Sequence, residues 1–133
     1  MSADVRRVGD TVRRSVGPWT PSVHRLLRHL ADQEFLGAPR VLGIDGAGRE
    51  VLTFVPGTVV HPDSYEHVTT DSGLERVAQL IRAYHNAAAS FALDRADVWH
   101  EDGRNPTGSA EVLCYNDLAP WNLVVHSERW VFI

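Results

Sequence analysis

The chain has 133 residues, of which 44% are hydrophobic and 23% are charged, a composition typical of one modest globular core. Its net charge of −4 argues against a broad electrostatic surface for nucleic acid or an anionic membrane. No apolar run is long enough to span a bilayer, and the first residues lack the pattern of a signal peptide. We therefore expect a cytoplasmic protein without nucleic-acid or membrane partners, and the oligomeric state stays open.

The chemistry open to the chain is narrowed by its basic and sulfur-containing residues. All thirteen basic residues are arginine, which excludes a Walker-type phosphate loop and Schiff-base chemistry because both need a lysine. Any bound phosphate must therefore be contacted by arginine or by backbone amides. The single cysteine, Cys114, cannot form an internal disulfide, and its apolar neighbours favour a buried, inert thiol.

Two hairpins are predicted in the first half of the chain. Residues 5–8 and 11–14 form two strand-like runs around a Gly-Asp pair, which accepts the backbone angles of a tight turn. Residues 40–44 and 50–55 form a second pair of runs around a glycine-rich turn.

Two helices are predicted between and after these hairpins. Thr20 precedes a proline as an N-cap, and apolar side chains recur at helical spacing from Pro21 to Asp32. A capping box that begins at Ser72 starts a second apolar stripe, which continues to about Phe91.

The remainder of the chain predicts a long loop followed by a short polar loop and a last hairpin. Residues 94–110 are rich in Gly, Pro, Asn, Asp and Thr, and loops of this length are often functional. The order of hairpins and helices lacks the regular alternation of a parallel doubly wound sheet, so we predict an α+β fold.

The candidate site is the polar loop that holds Asp117 and Asn122, five positions apart and bracketed by apolar runs. Pro120 limits the freedom of this loop, and phosphoryl transfer depends mostly on fixed positions and charge stabilisation. In this interpretation Asp117 accepts the proton of a substrate hydroxyl, and Asn122 offers its amide oxygen to magnesium. The alternative is that both residues are turn formers without chemistry.

A family resemblance follows from these motifs. Residues 115–122 have the sequence Tyr-Asn-Asp-Leu-Ala-Pro-Trp-Asn, which resembles the His-x-Asp-(four residues)-Asn loop of the aminoglycoside phosphotransferase family. Residues 17–24, residues 43–52 and the Pro-Gly pair at 56–57 extend the resemblance over nearly the full chain.

The resemblance implies a partial protein-kinase-like fold, truncated at both ends. Residues 1–57 would form part of a nucleotide-binding lobe with a small antiparallel sheet, a helix and a hinge. Residues 58–133 would form the start of a helical lobe with the catalytic loop. The implied function is an ATP-dependent phosphotransferase that uses Mg²⁺ and acts on a hydroxyl of a small polar molecule.

The resemblance also implies nucleotide contacts in the first lobe. Thr53, Phe54 and Val55 correspond to the hinge, where backbone groups would meet the adenine. Arg13 or Arg14 stands in place of the usual strand lysine; strand alternation sends them to opposite faces, and we favour Arg14 as the phosphate contact.

The chain departs from the family pattern in several places. Tyr115 replaces the usual His, and the glycine-rich phosphate loop and a second metal-binding Asp are missing. His24 lies where kinases place a glutamate, so it would repel Arg14 rather than form an ion pair. A truncated, non-catalytic remnant that at most binds nucleotide or a partner is therefore the alternative prediction.

Overall fold

The computed structural model describes residues 4–99, 113–114, 117–127 and 129–133. These form an α+β protein with two antiparallel sheets and two long helices. The strands are β1 Arg6–Val8, β2 Thr11–Arg14, β3 Val41–Ile44, β4 Glu50–Thr53, β5 Thr58–Val59, β6 Leu123–His126 and β7 Arg129–Phe132. The helices are α1 Thr20–Asp32, α2 Glu66–Thr69 and α3 Asp71–Ala88.

The first sheet contains both predicted hairpins in the order β1-β2-β4-β3, so the prediction of two hairpins is confirmed. Gly9 occupies the first turn with a φ of 59°, which a glycine adopts without steric cost. The central pair, β2 and β4, sets Arg14 directly opposite Glu50. This register determines the surroundings of the predicted phosphate-binding arginine.

Helix α1 begins one residue before the predicted start, and the predicted Thr20 N-cap is wrong. The N-cap is Trp19, whose side chain makes no capping bond. The Thr20 hydroxyl instead accepts a hydrogen bond of 2.9 Å from the Gly17 N–H. Its side chain therefore closes the preceding turn rather than the first turn of the helix.

Helix α3 is present, but its predicted capping box at Ser72 is wrong. Thr70 is the N-cap, and its hydroxyl accepts a hydrogen bond of 3.1 Å from the Gly73 N–H. The helix ends at Ala88. Leu74, expected on the apolar stripe, is 57% exposed, while the buried residues of the helix are Gly73, Tyr84, Ala87 and Ala88.

The second sheet has three strands, where the sequence predicted a hairpin alone. The predicted hairpin of β6 and β7 is confirmed, and β5 adds to it by pairing with β6. Gly57, with a φ of 141°, leads into β5, and a Cβ atom at this position would lie 2.7 Å from the Val125 carbonyl oxygen. A glycine is thus required where the chain passes close to β6.

The predicted burial of Cys114 is wrong, since this residue is exposed. Residues 113–114, which belong to the apolar run before the polar loop, form no strand. Within the described part of the chain, no helix combines the length and apolarity needed to cross a bilayer.

The main hydrophobic core draws on both halves of the chain. Leu30, in the last turn of α1, and Phe35, in the turn that follows, cluster with Val60, Tyr84 and Leu123. The first sheet lies wholly before residue 57 and the second wholly after it. A division into 1–57 and 58–133 stays a prediction, and the shared core joins the two parts.

Candidate functional site

The polar loop brings Asp117 and Asn122 into direct contact. The Asn122 side-chain Nδ2 donates to the Asp117 Oδ2 at 2.6 Å and to the Asp117 main-chain oxygen at 3.1 Å. A short 3₁₀ turn over Pro120–Asn122 leads into β6, and the Asn122 N–H donates to the Ala119 carbonyl at 2.9 Å. The Asp117 carboxylate and the Asn122 amide are therefore held in fixed relation in the loop that leads into β6.

The surface around this pair is open and partly apolar. Asp117 is exposed and Asn122 half-buried, while Leu118 and Trp121, within the loop, are exposed large apolar side chains. An exposed carboxylate beside exposed apolar groups can contact a ligand without prior rearrangement. The catalytic role of Asp117 stays a prediction.

The loop offers an incomplete set of ligands for a hard cation. In this contact the Asn122 amide presents its nitrogen, and not its Oδ1, to the Asp117 carboxylate. Magnesium is commonly held by one or two protein oxygens and several waters, so the Asp117 carboxylate can serve as one such ligand. No group of three or more metal-ligating side chains occurs within the described residues.

The predicted phosphate contact, Arg14, lies in a buried polar network that the sequence did not indicate. Its Nε donates to the Glu50 Oε2, and the His24 Nε2 lies 2.7 Å from the Glu50 Oε1. Glu50 is 2% exposed and His24 is 6% exposed. Glu50 thus lies between Arg14 and His24, and the expectation that these two would repel each other without an ion pair is wrong.

Arg13 and Arg14 contact different carboxylates, as alternation along the strand predicts. The Arg13 Nε lies 3.4 Å from the Asp45 Oδ2, and Arg49 also binds Asp45 through its side chain at 3.0 Å. The Arg49 backbone N–H does most to hold the pKa of Asp45 below its usual range; partial burial opposes this, and the Arg49 side chain assists it.

The predicted hinge residues are already bonded within the first sheet. The Thr53 N–H donates to the Arg40 carbonyl at 2.9 Å, and the Phe54 N–H donates to the Asp10 carbonyl at 2.8 Å. The Arg7 guanidinium lies 3.6 Å from the centre of the Phe54 ring. Two of the three amides predicted to meet a nucleotide therefore have partners, and Val55 follows them after the end of β4.

The site residues fall into separate groups. Asp117 and Asn122 contact each other, Arg14 contacts Glu50, and Thr53 and Phe54 contact the neighbouring strands and turn. Among the described residues, no hydrogen bond or ion pair joins the polar loop to Arg14. Tyr115 lies outside the described residues.

A second buried carboxylate fastens the segment after α3 to α1. Asp97 accepts from the Arg25 side chain and, at 2.8 Å, from the Asp94 N–H. The Val98 N–H donates to the Ser22 hydroxyl at 2.9 Å. Burial raises the pKa of Asp97, but the Asp94 N–H together with Arg25 and Ser22 outweighs it and lowers this pKa below its usual range.

Sequence reasoning missed Glu50 and Asp97 because their partners are distant in the chain. Glu50 and Arg14 are 36 positions apart, and Asp97 and Arg25 are 72 apart. The only local indication of the Glu50 network was the position of this charged residue at the start of an apolar strand.

Comparison with known proteins identifies a relative of a different kind from the one expected. The chain is 36% identical over 126 residues to the trifolitoxin immunity protein of Rhizobium leguminosarum bv. trifolii. The match covers 92% of the chain and 47% of that relative, so the chain spans about half the length of the protein it matches. No family model matches the chain, and no solved structure matches it.

This comparison corrects the functional predictions. The assignment to the aminoglycoside phosphotransferase family is wrong, because the relative that matches most of the chain is an immunity protein and no kinase family model matches. The expected activity of an ATP-dependent phosphotransferase is withdrawn with it, and so is the description as a kinase and transferase. The alternative of a non-catalytic remnant has no support either. A pair of residues five positions apart is too short a motif to establish a reaction.

Proposed function

We propose that this chain acts in immunity to a toxin. The observation that carries the proposal is the 36% identity to the trifolitoxin immunity protein over 92% of the chain. With so little of the chain outside the match, most of both sheets and both long helices have counterparts in that relative. A shared surface for the protective function can therefore lie on this part of the protein.

The direct test is survival of a trifolitoxin-sensitive bacterial strain that expresses the chain. We expect cells with the chain to grow at toxin concentrations that stop cells with an empty vector. The soluble amount of the chain is measured in the same cultures, so that poor folding is not mistaken for lack of function. Equal sensitivity at a confirmed soluble level would contradict the proposal for this chain.

Because the relative is about twice as long, the same strain should also receive the whole relative as a positive control. Protection by the relative but not by the soluble chain would place the protective function in the half that the chain does not match. Protection by both would place it within the matched half.

Magnesium and ATP are proposed as ligands of the polar loop, separately from any phosphoryl transfer. The exposed Asp117 carboxylate supports this, since it can serve as an oxygen ligand of the magnesium ion. Calorimetric titration of the chain with MgATP should show binding that Asp117→Asn weakens about tenfold, as for the loss of one charge interaction of roughly 1.4 kcal/mol. Asp32→Asn, at the exposed end of α1, is the matched control and should bind as the parent does. Unchanged binding in Asp117→Asn would remove this residue from the site.

We also propose that the two parts of the chain are arranged as in protein kinases. This proposal concerns the fold and no activity. It is supported by the small antiparallel sheet with α1 inserted between its hairpins. A fold of this kind does not imply phosphoryl transfer. An experimental structure that shows a different sheet order would contradict it.

A further inference from the structure

Two arginines face each other on the first hairpin. Arg6 on β1 is the register partner of Arg13 on β2. Residues opposite each other in an antiparallel pair direct their side chains to the same face, with Cβ atoms about 5 Å apart, and like charges in such positions destabilise the sheet. A negative charge beside this pair therefore lowers its energy.

This pair lies on the opposite face of the sheet from Arg14. The Arg14 side chain contacts Glu50, which in turn contacts His24 of α1, so Arg14 is on the face that α1 covers. Successive side chains of a strand point to opposite faces. Arg13 and its partner Arg6 therefore lie on the face turned away from α1, the outer face of the first sheet.

Arg6 has no counter-charge within the part of the chain that the structure describes. It is exposed, and its side chain makes no hydrogen bond or ion pair with any described residue. Asp4 and Asp10, the acidic residues before β1 and in the turn after it, form no ion pair with it. A guanidinium carries five N–H donors, and those of Arg6 are thus available to a ligand.

Arg13 is only partly satisfied by the chain. Its Nε lies 3.4 Å from the Asp45 Oδ2, which is longer than a usual N–H···O hydrogen bond. Its Nη1 is buried and has no hydrogen-bond partner among the described residues, although the side chain as a whole is 20% exposed. A buried donor without an acceptor is costly. An oxyanion at the exposed part of this side chain would supply an acceptor that the described chain does not.

Asp45 cannot neutralise the arginines around it. Its carboxylate accepts hydrogen bonds from the Ala47 N–H at 2.9 Å, the Arg49 N–H at 3.0 Å and the Arg49 Nε at 3.0 Å. Its one negative charge is thus shared between Arg49 and Arg13. Together with Arg6 these residues carry three positive charges against one negative charge, in a chain whose net charge is −4. This group of side chains therefore has a local excess of two positive charges.

The kind of ligand follows from the shape and charge of these groups. A guanidinium is a planar fork that binds two oxygens of one anion, and two neighbouring forks can share the oxygens of one tetrahedral anion. A phosphate group carries nearly two negative charges near neutral pH, which matches the local excess, whereas a carboxylate brings one. We propose that Arg6 and Arg13 bind a phosphate dianion on the outer face of the first sheet, either inorganic phosphate or the phosphoryl group of a small monoester.

The proposal does not depend on the function in toxin immunity or on MgATP at the polar loop. The growth experiment measures protection, and the titration below contains no magnesium and no nucleotide. Failure of either earlier proposal therefore leaves this one standing, and its own failure leaves them unchanged.

The test is a titration of the purified, isotope-labelled chain, followed by NMR spectra that record the Nε–H signals of the arginine side chains. The probes are inorganic phosphate, methyl phosphate and the singly charged nitrate, all at equal ionic strength and at about pH 8, where phosphate is mostly a dianion. We expect phosphate to shift the Arg6 and Arg13 signals to saturation and to bind about tenfold more tightly than nitrate, as for one additional charge interaction. Tighter binding of methyl phosphate would identify a monoester as the source of the dianion, and weaker binding would identify the free ion.

Variants locate the site. Arg6→Gln, at an exposed side chain without a partner among the described residues, should weaken phosphate binding about tenfold and leave the fold intact. Arg13→Gln should weaken binding as much. Arg28→Gln, at an exposed arginine of α1, is the matched control and should bind phosphate as the parent does.

Three results would overturn the proposal. The first is that phosphate and nitrate act alike at equal ionic strength. The second is that Arg6→Gln binds phosphate as tightly as the parent, and the third is that Arg28→Gln weakens binding as much as Arg6→Gln. Phosphate-induced shifts confined to other arginines would have the same meaning.

Discussion

Glu50 and Asp117 are both carboxylates with a polar side-chain partner, but their surroundings differ. Glu50 is buried in the first sheet between Arg14 and His24, whereas Asp117 lies exposed in the polar loop against Asn122. A buried charge must keep its partners or the fold loses stability, while an exposed charge can exchange its partner for a ligand at small cost. The Glu50 network therefore stabilises the fold, and the polar loop remains available for binding.

The largest expected effect comes from removal of the buried carboxylate. Glu50→Ala leaves His24 without its acceptor and Arg14 without its counter-charge, which should lower the free energy of unfolding by about 3 kcal/mol. Urea denaturation followed by circular dichroism measures this. Glu75→Ala, at an exposed position on α3, is the control and should change stability by less than about 0.5 kcal/mol. Equal losses in both variants would contradict the assignment.

The second effect concerns the other buried carboxylate and its pH dependence. Asp97→Asn weakens a buried, charge-assisted contact with Arg25 and should cost about 2 kcal/mol at pH 7. Because the pKa of Asp97 is lowered in the folded state, its contribution is present above the unfolded pKa near 3.9 and is lost as pH falls further.

Urea denaturation of the parent and Asp97→Asn between pH 7 and pH 3 checks this sign. The stability difference between the two proteins should be constant down to about pH 5 and should narrow in more acidic solution. A difference that widens as the pH falls would show that the folded pKa of Asp97 is raised instead.

Thr70 is an intermediate case, because its side chain is exposed yet bonded to a buried backbone group. Thr70→Ala should destabilise the chain by about 1 kcal/mol through loss of the helix cap. Ser72→Ala is the matched control, since Ser72 is the residue that the sequence pattern selects as the cap. We expect a loss below about 0.5 kcal/mol for Ser72→Ala, and thermal or urea denaturation would detect a reversed order.

The smallest effect on stability is expected in the polar loop. Asp117→Ala should change the free energy of unfolding by less than about 0.5 kcal/mol, as for exposed positions in general. A loss as large as that of Glu50→Ala, measured in the same urea experiment, would show that the loop contact supports the fold. The contrast between the two carboxylates would then be wrong.

Local patterns were sufficient for the elements whose partners are close in the chain. The hairpins β1–β2 and β3–β4 follow from alternation and turn residues, and α1 follows from its apolar spacing. Strand β5 was missed because two residues carry no recognisable period, and it forms only through pairing with β6. The cap of α3 was misplaced because Thr70 and Ser72 are both good capping residues two positions apart.

In the candidate site, too, contacts between residues close in the chain were easier to predict than contacts between distant residues. The spacing and the proline-stiffened loop predicted that Asp117 and Asn122 are held in fixed relation, but not that the Asn122 amide nitrogen donates to the Asp117 carboxylate. The acceptor of Arg14 could not, since Glu50 comes opposite it only when β2 and β4 are paired. Function was predicted from the loop motif and from a family resemblance over nearly the full chain, and the comparison with a relative over 92% of the chain overturned it. Short spacing patterns thus predict geometry better than they predict activity.

The measurement that tests the proposed function most directly is the dose of trifolitoxin that halves the growth of a sensitive strain. Cells with soluble chain should tolerate a clearly higher dose than cells with the empty vector. The same half-maximal dose in both, with the chain soluble and folded, would contradict a role in immunity for this part of the protein.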